Sequence, residues 1–141
     1  MAQLIIIAHN ALQKNQIDQI ISIYGERLNN ELTREATLKA LTLMAKNQPG
    51  VIKLQGLSSL TPKLVDLMHK AQRQIHLSTL EAVLAMVSRY PAQFSQQAGM
   101  LQGEIVKFIN ENDIQRSALA IQCAQNIINI NKGITENSHV L

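Results

Sequence analysis

Four histidines, one cysteine and a thin scatter of carboxylates are the side chains in this 141-residue chain with chemistry to offer. A metal site or a hydrolytic centre needs several such groups held at short, defined spacings. His9, His69, His76 and His139 are spread over the whole chain, and no Cys, Asp or Glu beside them completes a ligand group. His76, three residues after Arg73, reads as a half-exposed structural histidine at a helix start. Glu31 and Glu35, one turn apart around Arg34, read as solvated charge at the start of a helix. Gly50 and Gly56 frame the segment VIKLQ, which is a loop and not the strand-to-helix turn of a phosphate site. The expectation is a chain without catalytic residues, bound metal or cofactor.

A different set of residues is spaced to make non-covalent contacts. Glu35, Lys39, Thr42 and Lys46 follow one another at intervals of four, three and four, which places them on one helical face. Glu81 falls at a matching place further on, in a stripe with Ser78, Ala85 and Ser88, and Gln115, Ala118, Gln122, Gln125 and Asn129 form a third. Glu35, Lys39, Thr42, Lys46 and Glu81 are therefore the candidate partner-binding residues. Charge falls from stripe to stripe, so contacts towards the C-terminal end are expected to be mostly hydrogen bonds.

The elements carrying these stripes are helices. Hydrophobic residues make up 46% of the chain and charged residues 16%, too apolar for disorder. Tyr24, Tyr90, Phe94 and Phe108 are the only aromatic side chains, so the core is aliphatic, which favours helix over sheet. No segment sustains strand alternation. Helical spacing predicts seven helices, at about 2–13, 17–29, 32–47, 57–70, 73–89, 95–111 and 113–130. Asn15 precedes the second, Gln48-Pro49-Gly50 ends the third and Tyr90-Pro91 closes the fifth. Thr61-Pro62 resembles a cap with a first-turn proline, which offers a later start for the fourth helix after a looser turn through Leu57 to Leu60. Ser95 and Asp113 are placed to cap the sixth and seventh. Residues 131–141 have no strong apolar stripe and are expected to form a flexible tail.

One helix is written three times. Thr37, Leu38 and Ala40 align with Thr79, Leu80 and Ala82, and then with Ser117, Ala118 and Ala120. Each copy follows another helix, so the unit is an antiparallel pair repeated about every 40 residues, the period of HEAT-type arrays. The expected fold is an all-α HEAT-repeat solenoid of about three and a half repeats over residues 1–130. It has a half repeat at 2–13 and full repeats at 17–47, 57–89 and 95–130. Such units bury their apolar faces only by stacking, and the polar stripe of each second helix then faces the concave side. Cys123 aligns with the core positions Leu43 and Ala85 and reads as a small buried hydrophobe. Met44, Met68, Met86 and Met100 fall at core spacing as gap fillers.

The formal charge of +3 is spread along the chain, with Lys70 and Arg73 its densest pair, which gives no reason to expect nucleic acid. The apolar run Leu4–Ala8 is too short to span a bilayer and has no basic flank. With a single cysteine, a reducing cytoplasmic or nuclear setting is expected, with neither membrane nor small-molecule substrate as partner. Neither end carries a polar outer face, so self-association or stacking on further repeats through 2–13 and 113–130 is expected.

The segment ERLNNELTREATLKALTLMA, residues 26–45, resembles the Cand family, the cullin-associated, neddylation-dissociated proteins. The match lies in their middle HEAT repeats and runs through Glu26, Arg27, Leu28, Asn30, Glu31, Thr33, Arg34, Thr37 and Lys39 to Leu43. It continues through Leu77, Thr79, Leu80 and Ala82, then Asp113, Ser117, Ala120 and Ile121. The resemblance implies a non-catalytic scaffold that binds a cullin–RING complex in cytoplasm and nucleus, within the pathway that conjugates ubiquitin-like modifiers. It implies a role in substrate-receptor exchange and SCF complex assembly, with Lys39 the leading contact. The alternative is an unrelated HEAT or armadillo-type adaptor in transport or trafficking, for which Asn126 and Asn129 offer a short asparagine ladder.

Overall fold

A computed structural model of the chain describes residues 14–47, 57–109 and 112–140. The expected helix at 2–13 lies outside the described residues. Helix α1 spans Lys14–Asn29 and α2 spans Arg34–Asn47. A 3₁₀ turn at Leu57–Leu60 leads into α3, Thr61–Met68, and α4 spans Arg73–Arg89. A second 3₁₀ turn, Pro91–Phe94, precedes α5, Ala98–Ile105, and a third, Val106–Phe108, follows it. The last helix, α6, spans Ile114–Val140.

Consecutive helices pack as pairs, α1 with α2, α3 with α4 and α5 with α6. The pairs stack in two rows. In the inner row α2 packs on α4 and α4 on α6; in the other, α1 packs on α3 and α3 on α5. This is an all-α helical repeat. Helix α4 is covered by α2, α6 and α3 together. Ile75 to Leu80 are buried without interruption, followed by Ala82, Val83 and Ala85 to Val87. A helix wrapped this way needs small residues among its large ones, which Ala82, Ala85 and Thr79 supply. Leu38, Leu41, Met44, Leu64, Leu80, Met86, Leu101 and Ile105 fill the shared core, with Tyr24 and Phe94 its largest fully buried side chains. Gly25 marks a close approach of α1 to α3: a Cβ there would lie 3.3 Å from Lys63 Cε and 3.5 Å from Leu60 Cδ2.

Several boundaries differ from the sequence reading. Of the two starts open for the fourth helix, the structure takes the later: Leu57–Leu60 is a 3₁₀ turn and α3 begins at Thr61, with Pro62 in its first turn. Thr61 does not cap α3; it lies inside the helix with its hydroxyl buried. Ser95 does not cap α5 but donates to the Ala92 carbonyl at 3.1 Å, and α5 is shorter than 95–111. Asp113 does cap α6, accepting from the Arg116 amide at 3.1 Å. The helical backbone of α6 runs past the expected end at residue 130 to Val140. No proline interrupts it, and Gly133 lowers helix propensity without terminating the helix. Met100 is exposed instead of core, because only Ala98, Leu101 and Ile105 of α5 face inward.

Each second helix also ties down the end of its partner. The last carbonyls of a helix lack intrahelical donors. Thr33 Oγ1 donates to Arg27 O at 2.7 Å and Arg34 Nη2 to Asn29 O at 3.3 Å. His76 Nε2 bonds the Lys70 carbonyl, and Ser117 Oγ donates to Phe108 O at 3.3 Å.

Leu80 sits at the centre of the inner row and is fully buried, whereas Leu32 in the α1–α2 turn is 92% exposed. Leu80→Ala is expected to lower unfolding free energy by about 2–5 kcal/mol, and Leu32→Ala to leave it within about 0.5 kcal/mol. Urea denaturation of the two variants checks the pair.

Candidate functional site

The inner row leaves one long face uncovered, and a groove runs along it. Its volume is about 540 Å³. Ala45, Leu84, Ala85 and Leu119 form an apolar floor contributed by α2, α4 and α6. Lys46, Glu81, Arg89, Ser88 and Gln122 line it with polar groups of both signs. The stacking of three helices from three different pairs produces this groove: α4 presents five of the lining residues, and α2 and α6 two each.

Of the five candidate contact residues, the structure brings Lys46 and Glu81 together on this groove. Lys46 and Glu81 are both exposed. Glu35, Lys39 and Thr42 lie on α2 outside its lining. Glu35 and Lys39 pair at 3.3 Å, an i,i+4 contact in solvent that adds little to stability. Thr42 is half-buried and donates its hydroxyl back to Leu38 O at 3.0 Å. Gln115, Ala118, Gln122, Gln125 and Asn129 are all exposed along α6. Ser78 departs from its stripe: it is buried and accepts from Gln74 Nε2 at 3.4 Å. Arg89 was not among the expected contacts. Its spacing of four from Ala85 and eight from Glu81 puts it on the same face. Leu43, expected as a core position, is 38% exposed instead.

The chemistry-bearing residues are engaged elsewhere. Cys123 is buried, its Sγ donating to Leu80 O at 3.3 Å, and burial pushes its thiol up to about 12. A thiol held protonated this way is a poor nucleophile. His69 Nε2 contacts Glu104 Oε2 at 2.7 Å, while His76 is buried at the opposite end of the α3–α4 turn. The two histidines therefore do not share a cleft. The bond from His69, with Lys107 at 3.3 Å, holds the Glu104 carboxyl below the usual range. His76 is instead a structural hinge pin. Arg116 Nη1 can only donate, so His76 Nδ1 accepts at 3.0 Å and Nε2 carries the proton towards Lys70 O. Phe108 packs on its ring at 4.7 Å between centroids, and the Arg116 guanidinium lies 5.4 Å from the Phe108 ring. His76 is thus more enclosed than its position at a helix start suggested.

A second polar knot joins the last two pairs. Arg73 forks onto Asp113, Nε to Oδ2 at 2.6 Å and Nη2 to Oδ1 at 3.0 Å, and Nη2 also reaches Gln115 Oε1 at 3.0 Å. The Arg73 bond, with the Arg116 amide, pulls the Asp113 carboxyl down to about 2. Among the described residues no group of three His, Cys, Asp or Glu is placed to hold a metal ion, and no helix is long and apolar enough to cross a membrane.

Stacked helix pairs define an all-α helical-repeat protein, with a groove of mixed charge on its inner row. Comparison with known proteins is consistent with that class. The chain is 32% identical over 117 residues, 81% of its length, to "Cullin-associated NEDD8-dissociated protein 1" of Drosophila melanogaster. It is 31% identical over 121 residues, 82% of its length, to the protein of that name in Dictyostelium discoideum. It is also 31% identical over 113 residues to "Cullin-associated NEDD8-dissociated protein 2" of Mus musculus. The chain spans 9% of the length of each of these relatives, so the similarity is to one segment of them. No family model matches the chain.

Asp113 gives a pH test of the knot. Its carboxyl has a lower pKa folded than unfolded, so its stabilising contribution is present above the unfolded value near 3.8 and disappears as pH falls through about 2. Asp113→Asn keeps a good helix cap but removes the charge. The variant is expected to unfold at lower urea at neutral pH and to lose part of the acid-dependent fall in stability between those two values. Equal slopes for variant and parent would contradict this assignment.

Proposed function

We propose that this chain is a segment of a Cand-like regulator of cullin–RING ligases, acting as a non-catalytic HEAT scaffold. The observation that carries the reading is identity of 31–32% to cullin-associated proteins across 74–82% of the chain, joined to a stacked helix-pair fold. On this reading the partner is a cullin–RING complex, the setting is cytoplasm and nucleus, and the larger process is substrate-receptor exchange during SCF assembly. Contacts are made by the open face of the inner row, through Glu35, Lys39, Thr42, Lys46 and Glu81, with Arg89 added by the groove. Mixed charges around an apolar floor suit a protein surface, where charge placement governs specificity and encounter rate. An asparagine-ladder adaptor is less well supported, since Asn126 Nδ2 is spent on Ser88 Oγ at 2.8 Å.

A pull-down of purified cullin–RING complex with the chain, alone and within its longer polypeptide, tests the reading. Capture is expected, and the double change Lys39→Glu with Lys46→Glu is expected to weaken it about tenfold, the effect of reversing charge at a complementary interface. If the longer polypeptide captures no cullin, the family reading fails.

Self-association through α6 is the second part of the proposal. Ile114 is 81% exposed and Ile121 is 51% exposed, seven residues apart and so on one face. The isolated chain is expected to elute as an oligomer in size-exclusion chromatography, and Ile114→Ser with Ile121→Ser to move it to the monomer position. A parent chain that elutes as a monomer would remove this part.

A further inference from the structure

We propose that a cavity at the turn edge, between α1, α2 and α3, binds a small oxyanion, either a carboxylate or a phosphoryl group. The cavity measures about 270 Å³ and is lined by Arg34, Lys63 and Lys70. Arg34 is only 8% exposed, and a guanidinium does not shed its charge. Its one hydrogen bond among the described residues is the long one from Nη2 to Asn29 O, and its Nε donates to nothing. No described carboxylate lies within ion-pair distance of it, nor of Lys63 or Lys70. Burying a cation without a counter-ion is costly, and native structures normally supply one.

The carbonyl contact alone does not account for the guanidinium. In the register that aligns Thr37 with Thr79, Arg34 corresponds to His76, which makes the same kind of contact to Lys70 O with an imidazole. The extra charge at Arg34 therefore answers to something other than the end of α1. Asp66 also lines the cavity and offsets one of the three cations, and His69 is turned to Glu104, so the walls keep an excess of positive charge. Leu28 and Leu67 supply an apolar floor, against which charge-assisted bonds to an oxyanion strengthen. The planar fork of Arg34 suits a two-oxygen group, while the two lysines act as point charges. The site is separate from the inner-row groove and does not depend on a cullin partner.

The test is an NMR titration of the ¹⁵N-labelled chain, following the Arg34 Nε–H resonance and the Lys70 amide. Inorganic phosphate and N-acetylglutamate amide are the two probes, with sodium chloride at matched ionic strength as control. A saturable shift at Arg34 with at least one probe and none with chloride is expected. Response to N-acetylglutamate amide alone identifies a carboxylate from a protein side chain, and response to phosphate alone identifies a phosphoryl group. Lys63→Gln and Lys70→Gln, at positions open enough to tolerate change, are each expected to weaken binding about tenfold through loss of one charge-assisted contact. Arg34→Gln is expected to abolish it; the lysine variants carry the test if that chain fails to fold. Shifts that merely track ionic strength, or that both lysine variants leave unchanged, would overturn the proposal.

Discussion

The structure depends on the enclosure of α4. A single antiparallel pair made from this sequence cannot cover its own apolar surface, because the inner helices are apolar over most of their circumference. Stacking α2 on one side of α4 and α6 on the other, with α3 against it, buries Ile75 to Leu80 and most of the turns that follow. The demand for close approach explains the small residues at Ala82, Ala85, Ala120 and Ala124 and the sulfur at Cys123. It also explains why polar residues survive on the inner row only in a narrow band. The groove is the visible remainder of that band.

Side chains of the types that do chemistry in other proteins here close helix ends and join pairs. Arg34, His76 and Ser117 each reach the end of the helix before their own, replacing donors that those carbonyls lack. Arg73, Asp113 and Arg116 then link α4 to α6, and His76 is drawn into the same network through Arg116. A network of this sort, in which Asp113 takes bonds from Arg73 and Arg116, fixes the register of one pair on the next. Arg34 differs in being buried with no described carboxylate as ion-pair partner, whereas Arg73 and Arg116 both face Asp113.

The resemblance to cullin-associated proteins is to one segment of them, and the structure shows that segment's share of the chain as stacked helix pairs. A repeat array works through the surface it presents, and a large partner is met by a long, shallow face better than by a deep pocket. The mixed charge of Lys46, Glu81 and Arg89 above Leu84 and Leu119 has that character.

Much of this was legible in the residues. The pairing of helices, the register of Thr37 with Thr79, the burial of Leu38, Leu80 and Cys123, the cap at Asp113 and the exposed stripe of α6 all follow from apolar spacing and local capping. Those are properties of a helix and its immediate neighbours, so the sequence by itself determined them. Arg89 joining Lys46 and Glu81, Ser78 turning inward, Met100 turning outward and the enclosure of His76 were not legible, nor was the isolation of Arg34. Each is decided by which side chain of another helix lies opposite, often about 40 residues away in the chain, and only the stacking of the pairs sets that. The sequence wrote the helices and their apolar faces because periodicity is local; the tertiary structure chose the neighbours of each polar group because contact between pairs is not.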